Sequence, residues 1–181
     1  MLDFITIIVT SSVVASIVGP VVNEVLMVRR NWPSERLAAL NAAVGLEGYA
    51  LHCADKVADH RTAIDSAGAA GDLISGVPEL PEIPVVAAFV KRERARVADR
   101  LASFPQDVRQ ADQAAAFWWD LVSDMDSARN EAVKQTACVG LQALELARSL
   151  REAFTLPRRD LVFGEYNVRT TLEREASVNV D

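Results

Sequence analysis

The chain has 181 residues and a formal net charge of −6, a balance that argues against a general nucleic-acid binder. Half of the residues are hydrophobic and only 6% aromatic, with alanine abundant, which favours helices packed through small and aliphatic side chains. Its two cysteines, Cys53 and Cys138, make no CxxC pair and no Cys/His cluster of zinc spacing, and two lone thiols in a cytoplasmic domain are expected to be free.

The first element is the run Phe4 to Asn23, twenty residues without a charge between Asp3 and Glu24. As a helix it reaches about 30 Å, the thickness of a bilayer's hydrocarbon core, and it reads as a single membrane span. A cleaved signal peptide would want positive charge before the run, whereas Arg29 and Arg30 follow it. Core helices of soluble proteins seldom stay uncharged for so long. No Lys or Arg precedes the span, while Arg29, Arg30 and Arg36 come after it, so the positive-inside rule places the carboxyl side in the cytoplasm and the amino terminus outside. Trp32 suits the headgroup level. Pro20 is tolerated in a span as a kink, and the bent helix is expected to reach about Arg30. Ser11, Ala15 and Gly19 recur every four residues on one face, a small-residue stripe that could dock a second copy or a partner's span.

Beyond the membrane, Pro33 suits the first turn of a new helix, with Ser34 and Glu35 behind it. Leu37, Leu40, Val44, Leu51, Ala54 and Ala58 fall close to an a/d pattern, and Glu47 occupies a slot that should be apolar. This helix is expected to last to about His60, with Gly45 and Gly48 as points of close approach. From Gly68 to Pro84 glycine and proline are dense, ending in PELPEIP, which predicts a long loop with an extended, polyproline-like end. Pro78, Pro81 and Pro84 make that end a candidate interaction element.

Helical character resumes near Val86 and is interrupted at Ser103-Phe104-Pro105. The next helix carries a coiled-coil-like stripe, Val108, Ala111, Ala115, Trp118, Val122 and Met125. Trp119 points about 100° from Trp118 and is a candidate interface anchor or a residue packed beneath the loop. Asp124, Asp126 and Ser127 suggest a turn and a new cap. The following helix runs to about Phe154 and is apolar along two rows, through Val133, Ala137, Gly140, Leu144 and Ala147 and through Val139, Ala143, Leu146 and Leu150. So wide an apolar face predicts the central helix. Leu156-Pro157 ends it. In the tail, Phe163 and Tyr166 are possible anchors, a short helix is expected around Val168 to Ala176, and the last five residues are expected to fray.

Reactive side chains concentrate in His52, Cys53, Asp55, Lys56, Asp59 and His60. A di-iron bundle needs Glu-x-x-His, which is absent, as is HExxH. Adjacent Cys and His on a helix diverge by about 100°, so the ordinary reading is a solvated helix end with ion pairs. GAAGDLISG lacks the GKS or GKT ending of a phosphate loop. Lys91 to Arg96 is the main basic run; a solvated face or anionic lipid suits it better than nucleic acid, since no aromatics interleave.

The expected architecture is all-α, with a transmembrane span and juxtamembrane helix over 1–30. An antiparallel bundle of about four helices follows over 31–157, including a loop at 61–85, and then a tail over 158–181. The expected function is a membrane-tethered interaction or scaffold module, or an accessory subunit, without a catalytic, cofactor or metal site. Its expected partners are membrane lipid, a second copy or partner span, and a cytoplasmic protein. The alternative is a membrane-associated enzyme using the His52–His60 helix as an acid–base or metal site.

Overall fold

The structure, a computed structural model, describes the backbone of residues 2–83, 89, 94–121 and 125–177. It describes the side chains of residues 32–83, 89, 94–119 and 125–177. Two compact units divide the chain, Met1–Leu37 and Ala38–Asp181. The elements in order are α1 (Leu2–Asp65), α2 (Ala95–Leu121), α3 (Met125–Ala153), β1 (Val162–Phe163), β2 (Tyr166–Asn167) and α4 (Val168–Ala176). The chain is thus mostly helical, as its composition predicts.

The first unit is helical backbone belonging to α1. The side chains of the run 4–23, including Ser11, Ala15 and Gly19, lie outside the described residues. Among the described residues, no helix is long and apolar enough to cross a membrane. The expected helix start at Pro33 is corrected, because α1 passes through it without a boundary. Proline's fixed φ is a helical one, so the helix can continue through it at the cost of one hydrogen bond and of a ring contact with the carbonyl four residues back.

In the second unit α3 is central. Its buried residues include Val133, Ala137, Val139, Ala143, Leu146 and Leu150, the two rows expected from the sequence. α1 lies close against it at Gly140, where an added Cβ would lie 3.0 Å from the Cβ of Cys53 and from Leu172 of α4. The close approach therefore falls at Gly140 and not at Gly45 or Gly48, which have no neighbour nearer than 3.8 Å. Along α1 the buried line is Ala39, Ala42, Ala43, Leu46, Ala50 and Cys53, whereas Leu37 and Val44 of the expected a/d pattern are exposed. Small residues let the helices lie close, so alanine fills the seam that leucine was expected to fill.

Residue pairs fix the helix directions. Glu47 meets Arg151 and Cys53 meets Gly140, so α1 and α3 run antiparallel. Tyr49 packs edge-on against Phe104, and Val57 shares a cluster with Ala115, so α1 and α2 run the same way. This corrects the expectation of an antiparallel bundle throughout. The long connection after α1 is what permits a parallel neighbour, since it carries the chain back along the bundle. It turns at Ala67 (φ 52°), where Gly68 N–H donates to Ala63 O and Ala67 N–H to Ile64 O, a Schellman ending. Gly71 (φ 75°) then lies against α1 so tightly that a Cβ there would fall 2.3 Å from Asp59 O. Farther along, Ile74 N–H donates to His60 Nδ1, Val77 N–H to Asp112, and Tyr49 Oη–H to Pro78 O. The predicted loop is a strap seated between α1 and α2.

α2 does not break at Pro105, which lies inside it. Leu101, Phe104 and Val108 are buried on both sides of the proline, so packing holds the helix through the lost bond. The two tryptophans also exchange roles. At 100° per residue Trp119 lies about 20° from Val108 around the helix, and Trp118 about 80°. Trp118 is accordingly 39% exposed and Trp119 half-buried. The stripe from Val108 and Ala115 runs on to Trp119.

Candidate functional site

The reactive cluster on α1 does not converge. His52, Asp55 and Asp59 are exposed, whereas Cys53 and His60 are buried and two helical turns apart. Burial pushes the Cys53 thiol up to about 12, against the opposing hydrogen bond with the Tyr49 hydroxyl. Such a thiol stays protonated and is a poor nucleophile. His60 Nδ1 is occupied as acceptor for Ile74 N–H. Burial, reinforced by Arg129, lowers the His60 pKa and keeps the ring neutral. Asp55 accepts from the Tyr166 hydroxyl, which links α1 to the tail. Among the described residues, no group of three His, Cys, Asp or Glu side chains is placed to hold a metal ion.

The expected interaction residues fall in different places. Pro78 is half-buried in the strap and its carbonyl accepts from Tyr49, Pro81 is exposed, and Pro84 lies outside the described residues. The indole N–H of Trp119 is buried without a protein acceptor among the described residues. Of the basic run only Arg94 and Arg96 are described with their neighbour Ala95. Arg94 is buried, its guanidinium 3.9 Å from the centre of the Phe154 ring, and Arg96 is exposed. Stacking on an aromatic face draws Arg94 inward, so it is not part of a solvated basic face.

The chemically richest place is a recess of about 450 Å³ between the end of α3, the segment after it and the start of α4. Its floor is Glu47 of α1 held by Arg151 of α3. Arg151 Nε donates to Glu47 Oε1 at 2.6 Å and Nη2 to Oε2 at 2.9 Å, while Nη1 donates to Pro157 O at 2.8 Å. All of its edges are used. The walls carry four more guanidiniums, those of Arg148, Arg158, Arg159 and Arg169, beside a single further carboxylate, Asp160. Leu144, Leu161 and Val162 give one side an apolar surface.

Local structure explains how these groups meet. α3 ends on Thr155 in the left-handed region (φ 52°), with Leu156 N–H donating to Arg151 O and Thr155 N–H to Glu152 O. This Schellman ending turns the chain back over the last turn of α3, which puts Pro157 on Arg151 and Arg158 and Arg159 at the rim. A two-residue turn at Gly164-Glu165 then reverses the chain between β1 and β2, which pair antiparallel, Gly164 supplying φ 63°. Asn167 ends β2 and caps α4, its Oδ1 accepting from Thr170 N–H, and so fixes Arg169 at the opposite wall. The hairpin was not expected from the sequence, although a Gly-X pair between Val-Phe and Tyr-Asn is a hairpin signal. Phe163, an expected anchor, is 51% exposed, while Tyr166 and the predicted short helix fall where expected.

Three of the wall arginines are loosely engaged, and Arg169 is held more closely. Arg148 and Arg158 share Glu152 at 3.1 and 3.4 Å, Arg159 lies 3.4 Å from Glu47, and Arg169 pairs with Glu145 at 2.7 Å and Glu173 at 3.6 Å. Apart from buried Glu47, these are exposed or half-exposed pairs, each worth about 0–1 kcal/mol. Comparison of the chain with known protein families, curated proteins and solved structures gives no match.

Proposed function

We propose that this chain is a membrane-anchored, non-enzymatic binding module. Residues 4–23 hold it in the inner or plasma membrane with the amino terminus outside, and the helical unit from Ala38 works on the cytoplasmic side. The observation that carries the reading is a contrast within the chain. A twenty-residue charge-free run is followed by Arg29, Arg30 and Arg36, and the unit behind it commits the Cys53 thiol and the His60 imidazole to packing. What that unit leaves open to solvent is a recess lined with hydrogen-bond donors. In this reading the stripe Ser11, Ala15 and Gly19 docks a second copy or a partner's span, and the bundle binds a cytoplasmic partner.

The test is fractionation with a topology reporter. The full chain is expected to stay with membranes through an alkaline wash, and a chain lacking residues 1–30 is expected to be released. A reporter active only outside the cytoplasm, fused after Asp181, is expected to be silent. Release of the full chain, or a strong outside signal, overturns the proposal. Replacing Ala15 and Gly19 with Ile keeps the run insertable while forcing helices apart. Unchanged crosslinking in that variant would reduce the run to an anchor.

A further inference from the structure

We infer that the recess formed by Arg148, Arg158, Arg159 and Arg169 is a binding site for a phosphate-bearing small molecule. This inference stands whether or not residues 4–23 cross a bilayer. Glu47 and Arg151 neutralise one another in the floor. Four arginines then line a cavity of about 450 Å³ beside one lining carboxylate, Asp160. Glu145, Glu152 and Glu173 pair with them from outside the lining, so what the recess offers is a concentration of guanidinium donors and not a net charge. That size falls within the range of small-molecule sites, about 300–1,000 Å³.

The chemistry selects phosphate over carboxylate. A carboxylate offers two oxygens in one plane, and one bidentate guanidinium engages both, as Arg151 does those of Glu47, which has only a longer 3.4 Å contact with Arg159 besides. A phosphomonoester carries about −1.5 to −2 charge and three acceptor oxygens, and a diphosphate more, which matches several guanidiniums converging from separate segments. Each guanidinium has five N–H donors, so Arg148, Arg158 and Arg159, with one ion-pair partner apiece, retain donors for a ligand. Exchanging their pairs with Glu152 and Glu47 for a phosphate costs little, because one member of each pair is half-exposed or more. Leu144, Leu161 and Val162 provide a place for an apolar portion of the ligand, which a phospholipid headgroup region or a soluble phosphate ester could supply.

The test uses the full chain in uncharged detergent and phosphate-free buffer at low salt. Calorimetric titration employs three probes: inorganic pyrophosphate, dihexanoyl phosphatidic acid below its micellar concentration, and sodium sulfate. At least one phosphate probe is expected to bind and sulfate to bind more weakly. Tighter binding of phosphatidic acid would assign a lipid headgroup, and tighter binding of pyrophosphate a soluble phosphate; either supports the site. The double variant Arg148→Gln/Arg158→Gln is expected to lose affinity by about tenfold or more, the scale of hydrogen bonds to a charged group. Arg100→Gln, on α2 and outside the recess, is expected to change nothing. As a measurement that needs no variant, pyrophosphate or phosphatidic acid should protect Arg148, Arg158 and Arg159 from a guanidinium-directed dicarbonyl reagent, read by peptide mass. Several results would overturn the inference: no binding of either phosphate probe, sulfate binding as tightly, or affinity and labelling indifferent to the recess. Binding of a single-stranded RNA decamer that exceeds both probes and survives the double variant would overturn it too.

Discussion

Arg151→Met removes one half of the buried ion pair under the recess and leaves the other half stranded. The Glu47 and Arg151 side chains are 5% and 7% exposed, and their two hydrogen bonds are short. After the change the Glu47 carboxylate keeps, among the described residues, only Arg159, at 3.4 Å and 49% exposed, which supplies under about 1 kcal/mol. Stranding one member of a buried pair costs roughly 3–5 kcal/mol. The Pro157 carbonyl also loses its donor, so the turn that carries Arg158 and Arg159 should loosen in step. Removing both charges is different, because it also removes the cost of desolvating them. Glu47→Leu/Arg151→Met should therefore recover most of the loss and lie within about 2 kcal/mol of the parent, the remainder being Pro157 O without a partner. Urea unfolding of the full chain in uncharged detergent, followed by tryptophan fluorescence, gives the comparison through the midpoint at unchanged slope. A single variant within about 1 kcal/mol of the parent, or a double variant as unstable as the single, would refute the assignment of a desolvated pair.

Phe104→Ala, at a side chain 2% exposed, should cost about 3–5 kcal/mol. Trp118→Ala should cost under about 2 kcal/mol, since the ring is partly in solvent. Equal losses on unfolding would show that the buried face of α2 is wrongly placed. Gly71→Ala puts a Cβ 2.3 Å from Asp59 O at φ 75°, and a loss of at least about 1–3 kcal/mol is expected; a neutral change would mean that the strap is not seated there. Stability should also depend on pH through His60, whose folded pKa is lowered by burial and by Arg129 and Arg61, with Glu175 and Asp126 opposing. The unfolded chain then takes up the proton first, so this contribution is complete above about pH 6.5 and is lost as pH falls from there through the folded pKa. Glu175 is pushed up by burial but held lower, on balance, by its bonds from Arg61 and Arg174, so its own loss begins only below about 4.5. A His60→Asn variant should flatten the melting temperature between about pH 6.5 and 5, and an unchanged slope would assign the dependence elsewhere.

Periodicity made α3 legible because both of its apolar rows are buried except at Leu144, so the sequence pattern and the burial pattern nearly coincide. α4 was legible for a local reason, an Asn cap followed by a short amphipathic stretch. α1 and α2 were harder. Their seams are built from alanine, whose weak apolar signal was outweighed by Leu37, Val44 and Trp118 on faces that stay exposed. Pro33 and Pro105 were read as boundaries because local propensity disfavours proline inside helices, and around Pro105 tertiary packing overrides that preference. The parallel course of α1 and α2 was hidden for another reason. A loop's composition announces irregular backbone but not that the loop returns along the bundle, and that is encoded in single contacts such as Tyr49 to Pro78.

The recess leaves almost no linear trace, because its arginines come from α3, from the segment beyond it and from α4, and no spacing rule joins them. Thr155 makes the decisive turn, and a left-handed threonine is not one of the residues that advertise a helix ending. Two charges nevertheless stood out of pattern. Glu47 occupies a slot that should be apolar on α1. On α3 the row Val133, Ala137, Gly140, Leu144 and Ala147 continues, four residues on, at Arg151. A lone charge in an apolar row predicts a cost; opposite charges in the facing rows of two helices predict one another, because each is the cheapest way to satisfy the other. With α1 and α3 antiparallel, the register that sets Cys53 against Gly140 puts Glu47 about level with Leu146, and the two long side chains close the remaining five residues, about 7.5 Å of helix, to Arg151. Pairing the two intruders would have located the floor of the recess. The walls require the chain reversal after Phe154, whose geometry only the folded tail supplies.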